Sequence, residues 1–294
     1  MHKNSYFRTM ILIADGGSTK TAWTLLDDNK TTIGEFRSDG YNPYFWTTEQ
    51  IAESIKKQLV PLIKPSEVKH IYFYGAGCST PENNVIVKNG IAQNFSAAEI
   101  LVTHDLLAAA RALLKRQAGF AAILGTGANT CFYDGHDVSL NIDSLGYLLG
   151  DEGSGAYIGK KIVRDYMRGY FPETLAQAFK LKYGYANNEQ IFHDLYSKPF
   201  PNRTLAGFCT FASEHASYDY IHSIVHDSFD DFFKNLVSHY PDYASHSFNC
   251  IGSVAFSFKD ILTDISENKY HMKVGNILRS PIHELVQFHI DYQV

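Results

Sequence analysis

The sequence predicts an α/β fold in two domains. Three observations carry that expectation. Apolar runs of strand length alternate with helical patterns through the first part of the chain. A series of strand, Gly-rich turn, strand and acidic turn occurs twice, its copies starting about 110 residues apart, far beyond a solenoid period. The chain also has 294 residues, which at roughly 150 residues per domain suggests two.

Met10–Ala14 is a continuous apolar run ending at Asp15-Gly16-Gly17, the pattern of a buried strand entering a tight turn. Ala22–Leu26 reads as a second strand, stopped by Asp27-Asp28-Asn29. Ile51, Ile55, Leu59 and Ile63 recur every four residues and make one face of a helix over 51–63. His70–Tyr74 and Ile100–Thr103 are further strands, the first running into Gly75-Ala76-Gly77. Asp105 stands where an N-cap belongs, before the Ala/Leu-rich helix Leu106–Lys115. Phe120–Leu124, Gly125-Thr126-Gly127, Thr130–Tyr133 and Asp134-Gly135 then repeat the opening order.

From Ser154 onward helices dominate, expected over Ala156–Met167, Glu173–Lys182, Asn188–Tyr196 and Tyr220–Val237. A late strand, Ser247–Ile251, ends at Gly252-Ser253-Val254-Ala255 and opens another helix. Pro281 precedes a final helix, His283–Tyr292. Lys198–Arg203, with two prolines, reads as a stiff turn. The aromatics Tyr166, Tyr170, Phe171, Phe229, Phe232 and Phe233 fall at helical spacing and are expected in the core or a subunit contact. The domain boundary is expected near residue 105, giving domains of 1–105, rejoined by the helix 281–294, and 106–280.

The composition narrows the function. The chain is 45% apolar and 19% charged, as in ordinary globular proteins, and its net charge of −5 offers no broad cationic face for nucleic acid. Cys78, Cys131, Cys209 and Cys250 are scattered, without metal-ligand spacing, which fits reduced thiols. His222 and His226 form an i, i+4 pair without the glutamate of a zinc-protease motif, and are expected as surface or packing residues. No run reaches the roughly 18 apolar residues of a membrane span. The expected location is the cytoplasm, and residues 1–9 are expected to be a dispensable leader.

Asp15-Gly16-Gly17-Ser18-Thr19-Lys20-Thr21 is not a Walker A loop, because the Gly before Lys20-Thr21 and the spacer are missing. It still suits an anion: glycines let backbone N–H groups approach oxygens, and Ser18, Thr19 and Lys20 add donors. Asp15 could hold a hydrated magnesium ion. The plainer reading is a hairpin turn chosen for its backbone angles. Gly125, Thr126, Gly127 and Asn129 offer the same resources again. Gly252 and Ser253 sit at a strand-to-helix passage, where small residues admit a flat ring. Asp105 is both a candidate N-cap, worth about 1 kcal/mol, and a carboxylate at a strand's C-terminal end, where α/β proteins place ligands. Asp151 and Glu152 could complement a helix dipole or accept hydrogen bonds from the hydroxyls of a bound ligand.

In this order the motifs resemble the actin, heat-shock chaperone and sugar kinase superfamily. More closely they resemble the BadF/BadG/BcrA/BcrD-type ATPase family, in its N-acetylglucosamine kinase-like branch. The resemblance runs through Asp15–Thr21, Gly40-Tyr41-Asn42-Pro43, Tyr74–Gly77, Asp105, Gly125–Asn129, Gly146–Gly155 and Gly252–Ala255. It implies two ribonuclease H-like domains with ATP and magnesium in a cleft, and phosphoryl transfer to a sugar hydroxyl. It implies Asp105 as general base, Asp15 toward the metal, Gly16–Lys20 and Gly125–Asn129 as phosphate loops, and Gly252 and Ser253 beside the adenosine. Asn42, Gly75, Thr126 and Asp151, with Glu152, are the sugar-side residues it implies, and a homodimer is the assembly.

The expected activity is phosphorylation of an amino sugar, N-acetylglucosamine above all, to its 6-phosphate. Leu145 stands where some relatives carry a sugar-stacking aromatic. Two alternatives stand beside this reading. One is an ATPase that activates a redox partner through an iron–sulfur cluster, against which the scattered cysteines count. The other is a sensor that binds sugar or nucleotide without transfer.

Overall fold

The computed structural model describes residues 9–292. The leader expected at residues 1–9 lies, but for Thr9, outside them. The chain divides into two compact units, Met1–Lys115 with Pro281–Val294, and Arg116–Ser280. The division thus falls one helix beyond residue 105.

The first unit is built on a five-stranded sheet. Strands β1 (Met10–Gly16), β2 (Lys20–Leu26) and β3 (Thr32–Asp39) form an antiparallel meander. β4 (Val68–Gly75) joins β1 in parallel and β5 (Glu99–His104) joins β4, so the order is β3-β2-β1-β4-β5. Leu12, Ile13 and Ala14 of β1 are wholly buried. A central strand covered on both faces calls for a continuous apolar run, which is why 10–14 does not alternate. Helices α1 (Thr48–Gln58), α2 (Pro81–Ala92) and α3 (Asp105–Leu114) complete this part of the unit. Trp23, Tyr41 and Phe73 pack together in its core.

The second unit repeats that topology. β6 (Gly119–Leu124), β7 (Ala128–Tyr133) and β8 (Val138–Asn141) form the meander, and β9 (Phe248–Ile251) and β10 (Val274–Leu278) add in parallel. The order β8-β7-β6-β9-β10 matches the first sheet strand for strand. The repeated strand–Gly turn–strand series therefore corresponds to two equivalent hairpins. Between the meander and β9 the chain forms α4 (Gly146–Leu149), α5 (Gly155–Met167), α6 (Glu173–Tyr183), α7 (Asn188–Tyr196), α8 (Pro201–Glu214) and α9 (Asp219–Asn235). α10 (Ser253–Ser257) and α11 (Lys259–Asp264) follow β9. Phe171, Phe179, Phe208 and Phe211 pack in stacked and edge-to-face pairs at centroid separations of 5.3–6.0 Å, forming an aromatic part of the core.

The last helix, α12 (Ile282–Tyr292), belongs to the first unit. Lys115 Nζ meets Glu284 Oε2 at 2.5 Å, and Tyr74 Oη and His289 Nε2 share a buried hydrogen bond of 2.9 Å.

Two sequence readings need correction. His104, not Asp105, is the N-cap of α3: its Nδ1 accepts the Leu107 N–H at 3.2 Å, and Asp105 is the first helical residue. The stiff turn expected over Lys198–Arg203 ends early, because Pro201 opens the 14-residue α8, a position where its missing N–H costs nothing. Arg203 lies with its guanidinium 4.0 Å from the Phe200 ring centroid. Among the described residues no helix is long and apolar enough to cross a membrane.

Candidate functional site

In the first unit, Asp15 is the penultimate residue of β1, beside the turn Gly17-Ser18-Thr19, where Gly17 N–H donates to the Lys20 carbonyl at 3.0 Å. Gly40 presses on this turn so closely that a Cβ there would strike the Gly17 carbonyl. Ala76 N–H donates to Gly16 O at 2.7 Å and brings the Gly75-Ala76-Gly77 turn against the same strand end. Asp105 begins α3 directly after β5, next but one to β1 in the sheet.

Asp105 acts on Asp15 through its charge. Asp15 is pushed up to about 7, first by burial and then by the charge of Asp105, with Lys20 pulling the other way. Asp105 is pushed up to about 6 by burial, against the backbone N–H groups of Leu106 and of Asp105 itself. Both keep a partial window to solvent by surface area, yet protein atoms enclose them densely. That enclosure decides the direction, because it strips solvation from the charged form. Cys78, a residue the sequence did not single out, senses the same charge: burial and Asp105 push its thiol up to about 12.

Asn42 is buried, its Nδ2 donating to Ser18 Oγ at 3.4 Å and its Oδ1 accepting the Tyr44 N–H at 3.0 Å. Gly77, at φ +80°, leaves room for it: a Cβ would sit 2.6 Å from Asn42 Oδ1. Gly75 is likewise hemmed in by Phe73 and the Cys78 sulfur. Asp15, Lys20, Asp105, Gly75, Asn42 and Ser18 thus belong to one connected region of this unit. Lys20 and Thr19 are exposed at its edge.

In the second unit the turn Gly125-Thr126-Gly127 joins β6 to β7, closed by Gly125 N–H to Gly127 O at 2.9 Å. The carbonyls of Gly125 and Thr126 accept the Gly155 and Ala156 N–H groups at 2.8 and 3.0 Å, seating the turn on the start of α5. Asp151 is buried at φ +56°, in the left-handed region that few non-glycine residues adopt. Its Oδ1 accepts the Ala128 N–H at 3.1 Å, and a Cβ on Gly127 would lie 3.0 Å from its Oδ2. Burial pushes Asp151 up to about 6; hydrogen bonds from Ala128 and Ser144 and the charge of Lys160 oppose this, and Glu152 adds to it.

The helix-dipole reading of Asp151 and Glu152 is corrected here. Ser154 caps α5, so both acids precede the cap and the first turn contains none. Glu152 Oε1 accepts from Asn235 Nδ2 at 3.1 Å. The Asn129 side-chain Oδ1 accepts from Asn141 Nδ2 at 2.9 Å, tying β7 to β8. Gly252 is required by its backbone: φ is +137° and a Cβ would collide with the Leu124 carbonyl. Ser253 is exposed at the start of α10. Gly125 differs, since a Cβ there meets nothing within 4 Å.

The same architecture occurs in solved structures. A candidate N-acetylglucosamine kinase of Porphyromonas gingivalis is 38% identical, with a TM-score of 0.90 over 97% of this chain and 100% of that one. The chain belongs to the N-acetylglucosamine kinase-like branch of the BadF/BadG/BcrA/BcrD-type ATPase family. Two more distant structures share the branch's fold. A candidate N-acetylglucosamine kinase of Chromobacterium violaceum has a TM-score of 0.73 at 15% identity, over 96% of this chain and 99% of that one. A ROK family glucokinase of Streptomyces griseus, solved with glucose and AMPPNP, has a TM-score of 0.54 at 16% identity, over 96% and 97%. The fold of this branch member is therefore that of the actin-like ATPases, two α/β domains each on a five-stranded sheet. No protein-family model and no curated protein matches the chain.

Proposed function

We propose that the chain is the ATP-dependent sugar kinase its family makes it, transferring the γ-phosphoryl group of ATP to the 6-hydroxyl of N-acetylglucosamine. One observation carries the chemistry: Asp15 and Asp105 share a densely enclosed region in which burial raises both carboxyls toward neutral pH, and the charge of Asp105 raises Asp15 further. The likeness to the Porphyromonas gingivalis protein supports the amino sugar as acceptor.

Asp105 serves as the general base. A base works best with a pKa close to the operating pH, and about 6 leaves it ionised yet more basic than a solvated carboxylate. It takes the hydroxyl proton as the sugar oxygen attacks the γ-phosphorus and the bond to the bridging oxygen of ADP breaks. Asn42 and Asp151 hold sugar hydroxyls, Asn42 through its amide and Asp151 through its carboxylate oxygens; Gly75, Thr126 and Glu152 complete the sugar-side set.

Gly16, Gly17, Ser18, Thr19 and Lys20 form one phosphate-facing turn, and Gly125, Thr126, Gly127 and Asn129 the other. The open space at Gly125 is the kind of room a phosphate needs beside a backbone. Gly252 and Ser253 lie toward the adenosine. The residues fit magnesium: Asp15 carries a raised pKa beside a second acid, a place short of positive charge, and magnesium takes one or two carboxylates while keeping waters. Asp15 would hold it, and its chemistry is to neutralise phosphate charge. The setting we propose is a reducing cytoplasm, which suits four buried free cysteines, and a homodimer.

The test is ADP release with ATP and magnesium across a panel of hexoses and amino sugars, beside a control without sugar. Release stimulated by N-acetylglucosamine, with the product phosphate on C6 by NMR, is the expected outcome. Release indifferent to sugar would make the protein an ATPase, and binding without any release would make it a sensor.

A further inference from the structure

Asp151 is held by two hydrogen bonds that reach in different directions. Its N–H donates to the Ser144 carbonyl oxygen at 2.8 Å, and its Oδ1 accepts the Ala128 N–H at 3.1 Å. The second bond ties it to β7. The first ties it to the segment 141–145, whose residues are alternately exposed and half-buried. At φ +56°, Asp151 occupies a backbone region that a non-glycine residue keeps only where its surroundings fix it. The anchorage of 141–145 therefore bears on where the Asp151 carboxyl lies.

That anchorage comes from Tyr240, 98 residues beyond Ile142. Tyr240 is buried, and its ring packs against Phe120 and Phe132 at centroid separations of 5.3 and 4.9 Å. Its hydroxyl accepts the Ile142 N–H at 2.9 Å and shares a second 2.9 Å hydrogen bond with Oγ1 of Thr130, a fully buried residue of β7. The Ile142 N–H can only donate, so the Tyr240 oxygen accepts there and its own proton is available to Thr130.

We infer that Tyr240 is a positioning residue of the sugar site, its hydroxyl pinning the base of the loop that carries Asp151 to β7. This rests on the kinase reading above, in which Asp151 holds sugar hydroxyls. The bonds close a ring. It runs from Tyr240 to Ile142, along the backbone to Ser144, across to Asp151, from that carboxyl to Ala128, and along β7 to Thr130 and back to Tyr240. Apolar packing alone does not fix the loop: Ile142 and Tyr147 reach the core, but Leu145, Leu148 and Leu149 are exposed. Asn141 Nδ2 adds one more tie, to the Thr130 carbonyl oxygen at 2.7 Å. A phenylalanine would fill the space between Phe120 and Phe132 as well as a tyrosine does. A buried hydroxyl is unfavourable unless it is hydrogen-bonded, and both bonds of this one go to the segments that hold Asp151.

The test compares the full-length wild type with Tyr240→Phe, Thr130→Val and the double variant, reading kcat, the KM for N-acetylglucosamine, the KM for ATP and the melting temperature. Ser266→Ala is the control. It removes another buried hydrogen bond of the second unit, Ser266 Oγ to the Met272 carbonyl oxygen at 2.7 Å, between residues outside the ring. Tyr240→Phe keeps the aromatic packing and should raise the sugar KM about fivefold, the size of one neutral hydrogen bond, while the KM for ATP holds. Thr130→Val should act in the same direction. The double variant should fall short of the product of the two single effects, as groups in one network do. Ser266→Ala should lower the melting temperature and leave both KM values unchanged. A sugar KM unchanged in folded Tyr240→Phe overturns the inference while leaving the kinase reading intact. An equal rise in both KM values, or a sugar effect that Ser266→Ala reproduces, makes the hydroxyl a general brace and overturns the inference too. Should Tyr240→Phe fail to fold, Thr130→Val decides by the same two outcomes. If the wild type shows no sugar-stimulated ADP release, the kinase reading fails and this inference falls with it.

Discussion

The carboxyl of Asp15, at the end of β1, lies within electrostatic reach of Asp105, at the start of α3, and burial holds the proton on each well above the usual carboxylate range. Two half-enclosed acids of like charge are costly to ionise together. That cost disappears when a proton or a cation joins them, so the pair is sensitive to both.

Replacing Asp105 separates binding from turnover. Asp105→Asn keeps the shape and loses the base, so sugar should still bind while turnover drops by about 10²-fold or more. Titration calorimetry beside ADP release reads both, and wild-type-like turnover would refute the assignment.

Stability should also depend on pH through this pair. Both groups bind protons more tightly folded than unfolded, so the stability they contribute is fully present below the unfolded value of 3.8. It is lost as pH rises through about 6 for Asp105 and about 7 for Asp15. At about pH 8 without metal, Asp15→Asn should be more stable than wild type by about 1–3 kcal/mol, and near pH 4 the gain should vanish. Magnesium should raise the wild-type melting temperature at the higher pH and leave Asp15→Asn unmoved. Thermal melts at both pH values, with and without the metal, check this.

Gly125 and Gly252 should respond oppositely to the same methyl group. Gly125→Ala meets no protein atom within 4 Å, so its stability should stay within about 0.5 kcal/mol of wild type while the KM for ATP rises. Gly252→Ala meets the Leu124 carbonyl at a φ of +137° and should lose about 1–3 kcal/mol or fail to accumulate as soluble protein. Equal melting temperatures for the two variants would contradict the packing argument.

Gly77 makes room for the Asn42 amide, which we propose holds the sugar. Gly77→Ala brings a Cβ to 2.6 Å from Asn42 Oδ1, at a backbone φ of +80° that resists a side chain. The displaced Asn42 should raise the KM for sugar more than that for ATP. Steady-state kinetics on both substrates decide it, and an effect confined to ATP would move Asn42 out of the sugar site.

The hairpin strands, the parallel strands β4 and β9 and most long helices are legible in the sequence because they are the buried elements. A strand covered on both faces, such as β1, needs an unbroken apolar run, and a long amphipathic helix such as α5 repeats its apolar face. Strands β3, β8 and β10 escaped, and all three are sheet edges with mostly exposed or half-exposed residues. These three bury too little to leave a pattern, whereas β5, the remaining edge, was legible through its alternating buried Ile100 and Val102. Helices α2 and α8 open on Pro81 and Pro201, and proline at a helix start looks the same in sequence as proline in a turn.

The sequence by itself determined the two-unit α/β plan and the ordered Gly turns, since hydrophobic period and turn chemistry are local properties of the chain. Only the tertiary structure decided which acids matter to one another. Asp15 and Asp105 are ninety residues apart and meet because β1, β4 and β5 lie side by side in one sheet. Asp151 looks like a helix acid until the fold turns its carboxyl to the Ala128 amide and sets Lys160 within reach of its charge. His104 takes the cap that Asp105 was expected to provide, which leaves the aspartate carboxyl free of that task. Charge and burial act through space, and the neighbours that set a carboxyl's proton affinity are assembled by packing.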